Sequence, residues 1–170
     1  MGLGKTHQAM ALLLTAARED PDRPSLIVCP TSVLDHWEDK IAEHAPTLAP
    51  MRYHGLTREA LSTGTLPPVV LTTYALLARE AEVFKAVEWN YVVLDEAQNI
   101  KNPETQTAKG AKALSARHRL ALTGTPIENR LAELWSIMDF LLPGYLGSLR
   151  AFRRDFETPI VKNGDRRREA

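Results

Sequence analysis

The residues at the N-terminus combine types and a spacing that suit phosphate binding. Gly2, Leu3 and Gly4 precede Lys5 and Thr6, and a stretch rich in Ala and Leu follows. This order matches the end of the phosphate loop G-x-x-x-x-G-K-[ST], in which glycines let successive backbone N–H groups face a phosphate at a helix N-terminus. Lys5 would then reach the β- and γ-phosphates of a nucleotide, and the Thr6 hydroxyl would bind Mg²⁺. Alone, so short a match is equally well explained as a chance Gly-Lys-Thr.

Two adjacent carboxylates end an apolar run in the middle of the chain. The run Tyr91–Leu94 leads into Asp95 and Glu96, and Gln98 follows. An Asp at a strand end can hold Mg²⁺ through water, and a neighbouring carboxylate can polarise the attacking water. An isolated Asp-Glu pair is a common surface feature at the start of a helix. Downstream of Gly-Lys-Thr, however, this arrangement is what a phosphate-loop nucleoside triphosphatase requires, and it predicts nucleotide chemistry with Mg²⁺.

A third polar cluster follows another apolar run. Thr123 ends the run Leu120–Thr123, and Gly124, Thr125 and Pro126 come next. Hydroxyls and a glycine turn beside the carboxylates could contact a γ-phosphate and transmit its presence or absence along a sheet. As an isolated feature, Thr-Gly-Thr-Pro is better explained as a turn that ends a strand.

A scaffold must bring these clusters together, and apolar runs that alternate with helical patterns predict one. Five runs are predicted as strands, the second more weakly than the others: Leu26–Cys29, Met51–Tyr53, Val69–Thr72, Tyr91–Asp95 and Leu120–Thr123. Four stretches are predicted as helices: Lys5–Arg18, Val33–Ala45, Thr105–Leu114 and Leu131–Leu142. Continuous apolar runs are typical of strands buried on both faces of a sheet. The alternation therefore predicts a three-layer α/β/α fold with a mainly parallel sheet.

The carboxyl ends of parallel strands are where chemistry gathers in such a sheet. Four polar clusters follow the predicted strands at those ends: Pro30–Ser32, Thr72–Thr73, Asp95–Gln98 and Thr123–Thr125. We therefore expect all four clusters to line one edge of the sheet.

The composition excludes several classes of protein. The 170 residues carry no formal net charge, so DNA contact would need a local patch rather than a global basic field. The one cysteine, Cys29, rules out an internal disulfide and a cysteine-based zinc site and fits a reducing compartment. The longest apolar stretch, Ala9–Ala17, is far shorter than the ~20 residues that span a bilayer, so no membrane partner is expected. Trp37 and Trp135 lie on apolar helix faces and are interpreted as core residues.

Five segments of the chain occur in the order and spacing of one known family. They are Gly2–Gln8, Leu26–Trp37, Val70–Leu76, Val93–Asn102 and Leu122–Leu142. Together they resemble the Swi/Snf-type ATPases of helicase superfamily 2, and the last segment is far more specific than a phosphate loop. The resemblance spans residues 1–160 and implies a RecA-like P-loop lobe that hydrolyses ATP with Mg²⁺.

The resemblance also implies a role for each motif. Lys5, Asp95 and Glu96 are the implied catalytic residues, and Thr6 and Asp95 would hold Mg²⁺. Nucleotide binding is implied for Gly2, Leu3, Gly4, Lys5, Thr6, Gln98, Thr123 and Gly124. Contacts with the DNA backbone are implied for Pro30, Thr31, Ser32, Thr72 and Thr73. Hydroxyls and loop amides at strand ends suit phosphate contacts, which position DNA without reading its sequence.

The sequence departs from the family pattern at both ends. The family has a strand before its phosphate loop, so we expect the sheet here to lack its first strand. The resemblance also implies a second RecA-like lobe with the arginine fingers, which we expect to lie outside these 170 residues. We therefore expect a partial ATP-binding domain over residues 1–160 and a charged tail or linker over 161–170. The chain alone should bind ATP weakly and hydrolyse it negligibly, since arginine fingers contribute ~10³–10⁵ in rate.

The wider role is implied by the family only. It includes translocation along double-stranded DNA through backbone contacts, a second lobe of the same polypeptide, and protein cargo on the DNA. Two alternatives stay open: a strand-separating helicase of the same superfamily, and an inactive truncated lobe that only binds partners. The expected location is the cytoplasmic nucleoid in a bacterium and the nucleus in a eukaryote.

Overall fold

The computed structural model describes residues 4–54, 61, 65–124 and 131–157, and these contain a five-stranded sheet. The strands are β1 (Ser25–Cys29), β2 (Met51–Arg52), β3 (Val69–Thr73), β4 (Trp89–Asp95) and β5 (Ala116–Leu122). Their order across the sheet is β2-β3-β1-β4-β5, and every neighbouring pair is parallel. The predicted parallel α/β fold is confirmed.

Helices cover both faces of this sheet. The α-helices of the described residues are α1 (Lys5–Glu19), α2 (Leu34–His44), α3 (Tyr74–Arg79), α4 (Ala81–Lys85), α5 (Gln106–Ala113), α6 (Leu131–Leu141) and α7 (Leu149–Phe152). Short 3₁₀ turns span Thr31–Val33, Pro46–Leu48 and Ala97–Ile100, and a π-helical turn spans Arg153–Glu157. The four predicted helices are present as α1, α2, α5 and α6. Within the described residues, no helix has the length and apolar character needed to cross a bilayer.

The sequence patterns do not predict α3, α4 and α7, because these helices are too short to display a helical period. Side-chain caps mark the starts of two of them. The Thr73 hydroxyl accepts a hydrogen bond from the Leu76 N–H at 3.3 Å, and the Ser148 hydroxyl accepts one from the Ala151 N–H at 3.2 Å. Such caps satisfy backbone donors that the first helical turn leaves unpaired.

Strand β5 differs from its prediction in length and burial. It begins at Ala116 rather than Leu120, and Arg117 and His118 on its first half are exposed. The prediction covered only Leu120–Thr123 and so missed this exposed half. Within the predicted range Leu120 and Ala121 are partly rather than fully buried. Pairing with β4, from Trp89↔Ala116 to Asp95↔Leu122, holds the segment extended although its charged residues interrupt the apolar pattern.

Alternate residues of the central strand β1 face two separate cores. Leu26 and Val28 belong to the cluster that includes residues of α3, α4, α5 and α6. Ile27 and Cys29 belong to the cluster that includes residues of α1 and α2. Because successive side chains of a strand point to opposite faces, a fully buried strand must have a helical layer on each side. The three-layer arrangement is confirmed.

The register of the sheet aligns the carboxyl ends of its longer strands. Cys29 at the end of β1 pairs with Thr73 at the end of β3, and Asp95 at the end of β4 pairs with Leu122 at the end of β5. The polar residues that follow these four strands therefore emerge along one edge of the sheet, as expected.

Candidate active site

The start of α1 presents a backbone suited to an anion. Gly4 precedes the helix in a left-handed conformation, with φ of 69°, and its carbonyl accepts a hydrogen bond from the Gln8 N–H at 3.0 Å. Glycine adopts this conformation without the steric cost that other residues incur. Lys5 and Thr6 form the first turn, which contains no acidic residue, so the positive end of the helix dipole is uncompensated there. Gly2 and Leu3 lie outside the described residues.

The two carboxylates at the end of β4 are held by unusual backbone geometry. Glu96 is a non-glycine residue in the left-handed region, with φ of 52° and ψ of 55°. This conformation costs roughly 1–2 kcal/mol and persists where surrounding bonds enforce it. The Glu96 carbonyl accepts a hydrogen bond from the Asn99 side-chain amide at 2.8 Å. The Asp95 carbonyl accepts one from the Tyr74 hydroxyl at 2.7 Å.

The phosphate-loop residues and the carboxylates line one cavity. Its volume is about 400 Å³, and its lining residues are Gly4, Lys5, Thr6, His7, Val33, His36, Lys40, Asp95 and Glu96. Residues from the start and from the middle of the chain thus meet, because α1 packs on the sheet face beside the end of β4. Their individual catalytic and metal-binding roles stay predictions.

Three cavity residues, His7, His36 and Lys40, were not singled out by the sequence patterns. His7 directly follows Thr6, and His36 and Lys40 are four residues apart on α2. Residues at this spacing share one face of a helix. Because α2 follows the polar cluster after β1, its polar face was the available signal for these residues.

A side-chain bridge connects the carboxylates to the polar residues after β5. The Gln98 amide nitrogen donates to the Glu96 carboxylate at 2.7 Å, and the Gln98 amide oxygen accepts from the Thr123 hydroxyl at 2.9 Å. Gly124 follows and is exposed. Thr125 and Pro126 lie outside the described residues. The structure therefore joins Glu96, Gln98 and Thr123 in one hydrogen-bonded chain.

The residues predicted to contact DNA fall into two groups. Thr31 and Ser32 are exposed in the turn after β1, and Pro30 is partly buried. Thr72 and Thr73 are buried: the Thr72 hydroxyl donates to the Tyr53 carbonyl at 3.2 Å, and the Thr73 hydroxyl caps α3. The side chains of Thr72 and Thr73 are therefore not available to DNA in this conformation. DNA contact by the turn after β1 stays a prediction.

Burial changes the ionisation of two side chains close to Asp95. Burial raises the pKa of the Cys29 thiol from 9.0 to about 12, and the negative charge of Asp95 acts in the same direction. Burial also raises the pKa of the Tyr74 phenol, again assisted by Asp95. Both groups are thus protonated at neutral pH, and Tyr74 can serve as a stable hydrogen-bond donor behind the carboxylates.

Comparison with known proteins places this arrangement in a family. A sequence model described as the SNF2-related domain matches residues 1–170. The chain belongs to the SNF2-related family. A solved structure of the Sulfolobus solfataricus SWI2/SNF2 ATPase core in complex with double-stranded DNA is similar to it, with a TM-score of 0.89 and 46% identity. The match covers 99% of this chain and 35% of that chain.

Two curated relatives of this SNF2-related chain are much longer than it is. A Bacillus subtilis protein, YwqA, whose name includes the words ATP-dependent helicase/translocase, is 42% identical over 173 residues. That alignment covers 99% of this chain and 19% of YwqA. The TATA-binding protein-associated factor MOT1 of Saccharomyces cerevisiae is 39% identical over 179 residues, which cover 95% of this chain and 9% of MOT1. The SNF2-related chain therefore spans a fifth or less of either relative.

Proposed function

We propose that this chain is the ATP-binding and hydrolysing lobe of a DNA-dependent ATPase that translocates on double-stranded DNA and remodels protein–DNA complexes. One observation carries the proposal: Lys5 and Thr6 line the same cavity as Asp95 and Glu96. Membership of the SNF2-related family supports it, as do the ATP-dependent activity in the name of YwqA and the DNA in the structural relative.

The side chains around the cavity fit a nucleotide that carries Mg²⁺. The start of α1 and the Lys5 ammonium favour phosphate, and Thr6 and Asp95 offer the oxygen ligands that Mg²⁺ prefers. Among the described residues, no group of three or more His, Cys, Asp or Glu is arranged to hold a metal ion. One or two carboxylates together with substrate phosphates commonly suffice for Mg²⁺. When bound, the ion would neutralise charge that develops on the phosphates.

Each residue around the cavity would have a separate role in ATP hydrolysis. Lys5 would hold the β- and γ-phosphates, and Glu96 would orient and polarise the attacking water. The Gln98 amide nitrogen donates to the Glu96 carboxylate at 2.7 Å and so restricts the directions that this carboxylate can take. Thr123 lies at the other end of the same hydrogen-bonded bridge, so a change in the position of Glu96 during hydrolysis would be transmitted to the end of β5.

The proposal assigns the remaining functions to a larger protein. Residues 1–160 would form a partial ATP-binding domain, and 161–170 a charged tail or linker. A second RecA-like lobe of the same polypeptide would close the cavity and supply arginine fingers. Closure and release would move the lobes along duplex DNA, with backbone phosphates held near Pro30, Thr31 and Ser32. Proteins on the DNA would be the cargo, in the bacterial nucleoid or the eukaryotic nucleus.

The decisive experiment compares the full-length protein with its Glu96→Gln variant. We expect DNA-stimulated ATP hydrolysis to fall by ~10²–10⁴, the usual contribution of a positioned acid or base, while ATP binding persists. The Glu82→Gln variant is the matched control, because Glu82 is an exposed carboxylate on α4. Hydrolysis by Glu96→Gln at the rate of the Glu82→Gln control would contradict the proposed role.

Two further assays separate the proposal from its alternatives. A strand-displacement assay on a forked duplex should show no unwinding, whereas displacement of a bound third strand should require ATP and report translocation. Efficient unwinding would favour a strand-separating helicase. Titration with Mg²⁺–ATP should detect binding, and its absence would favour an inactive binding module.

A further inference from the structure

We infer that Trp37 is a positioning residue that sets the orientation of the Asp95 carboxylate. The inference deepens the proposed function and rests on it. Trp37 lies on α2 and has no exposed surface, as expected for a core residue. Its indole N–H, however, donates a hydrogen bond to Asp95 Oδ2 at 2.8 Å. The core of the α1–α2 layer thus reaches directly to the cavity.

The Asp95 carboxylate is held at both oxygens. Oδ1 accepts a hydrogen bond from the Glu96 backbone N–H at 3.0 Å, and Oδ2 accepts the bond from Trp37. The terminal torsion of an Asp side chain is broad, so a single hydrogen bond leaves the carboxylate plane free to turn. Two donors in different directions define that plane. An ionised carboxylate has about four lone-pair sites, so acceptor capacity remains for the cavity side.

A second tryptophan in the same protein shows that burial alone does not require such a partner. Trp89 is also fully buried, and its indole N–H donates to the backbone carbonyl of Phe84 at 2.9 Å. A neutral carbonyl therefore satisfies a buried indole here. Trp37 instead donates to a charged side chain that lines the cavity, and such bonds are roughly twice as strong as neutral ones.

The two tryptophans provide a matched pair of variants. Trp37→Phe and Trp89→Phe each keep an aromatic ring, remove one indole hydrogen bond and lose the same side-chain volume from a fully buried position. A purely structural role predicts similar consequences for both. A positioning role predicts a defect in Trp37→Phe that depends on Mg²⁺, because only this variant frees Asp95.

The measurement is the affinity of the full-length protein for a fluorescent ATP analogue, with Mg²⁺ and with EDTA. We expect the enhancement of affinity by Mg²⁺ to fall about ten-fold in Trp37→Phe, in line with loss of a bond to a charged group. The affinity in EDTA should not change, and Trp89→Phe should keep the full enhancement. Equal enhancement in both variants would overturn the inference.

A further substitution covers the case in which Trp37→Phe disturbs the fold. Benzothienylalanine at position 37 keeps the shape of the indole but replaces its N–H with sulfur, and it should reproduce the loss of Mg²⁺ enhancement. Full enhancement with this substitution would also overturn the inference. If the wild-type protein itself showed no enhancement by Mg²⁺, the proposed function would fail as well, and the two failures are thereby distinguished.

Discussion

The Gln98 amide oxygen accepts a hydrogen bond from the Thr123 hydroxyl at 2.9 Å, which joins the turn after β4 to the residue after β5. The orientation of this amide follows from chemistry. The Glu96 carboxylate can only accept, so the Gln98 nitrogen must face it and the oxygen must face Thr123. A change in the direction of Glu96 would therefore alter the acceptor that Thr123 uses.

Replacing Thr123 by Val should impair hydrolysis more than binding. The valine keeps the shape of threonine but removes the donor to Gln98, so the Gln98 amide and then the Glu96 carboxylate are less restricted in direction. We expect kcat to fall by about five- to ten-fold, the equivalent of one hydrogen bond of roughly 1 kcal/mol, with little change in ATP affinity. The control is Thr15→Val, which loses a hydroxyl bond to the Ala11 carbonyl on α1 outside the cavity. An unchanged kcat in Thr123→Val would disprove coupling through this bridge.

Substituting Gly4 by Ala should weaken nucleotide binding through backbone strain. Gly4 has φ of 69° and open space around its Cβ position, so the cost is conformational rather than a collision. A side chain in this region costs roughly 1–2 kcal/mol, which should reshape the start of α1 and lower ATP affinity several-fold. Gly144→Ala is the matched control, because Gly144 has φ of 76° and also lacks close neighbours but lies outside the cavity. Similar losses of ATP affinity in both variants would argue against a phosphate-binding backbone at Gly4.

The Cys29 thiol should resist alkylation in the folded protein. Its pKa is raised to about 12 and it is fully buried, so both the thiolate and access to it are scarce at pH 8. Peptide mass spectrometry after iodoacetamide treatment should find Cys29 unmodified in the native protein and modified in urea. Rapid native modification would contradict this burial.

The same shift predicts how stability changes at alkaline pH. The folded state keeps the thiol proton up to about pH 12, whereas the unfolded thiol releases it near its ordinary value of 9.0. The contribution of the Cys29 thiol to the free energy of unfolding is therefore fully present below pH 9 and decreases as the pH rises toward 12. Urea unfolding of the full-length protein, followed by tryptophan fluorescence at each pH, should show this decline, and Cys29→Ala should reduce its slope. The Tyr74 contribution, which has the same sign, should remain.

Arg119 should contribute far more to the free energy of unfolding than Arg117, two residues earlier on the same strand. The Arg119 guanidinium donates to the Phe140 carbonyl at 2.8 Å and to the Leu114 carbonyl at 2.7 Å, and so ties β5 to the ends of α6 and α5. Arg119→Met should destabilise this layer by about 2–3 kcal/mol, because the bonds are charge-assisted and partly buried.

Arg117→Met is the matched control on the same strand. Arg117 is exposed and pairs with Asp20 at 2.7 Å, a surface contact worth about 0–1 kcal/mol. Hydrogen exchange of α6 peptides in the full-length protein should separate the two variants. Equal protection would show that the two Arg119 hydrogen bonds do not stabilise α6.

Many of the strands and helices could be predicted from short, local patterns of apolar residues in the sequence. Apolar runs such as Leu26–Cys29 predicted strands because a central parallel strand is buried on both faces, and β1 is. The apolar pattern did not predict the first half of β5, because Arg117 and His118 are exposed at the edge of the described sheet. Helices α3 and α7 were not predicted, because they depend on side-chain caps and packing and are too short to show a helical period in the sequence.

The sequence by itself determined the family, the parallel sheet and the edge along which the polar clusters lie. These depend on residue order and on the geometry that all parallel strands share. Only the tertiary structure decided which side chains touch: that Thr72 and Thr73 turn inward, that Gln98 bridges Glu96 to Thr123, and that Trp37 donates to Asp95. The physical reason is that hydrogen bonds are short and directional. Partners 58 residues apart, such as Trp37 and Asp95, meet only when the packing of a helix on a sheet sets both their distance and their angle.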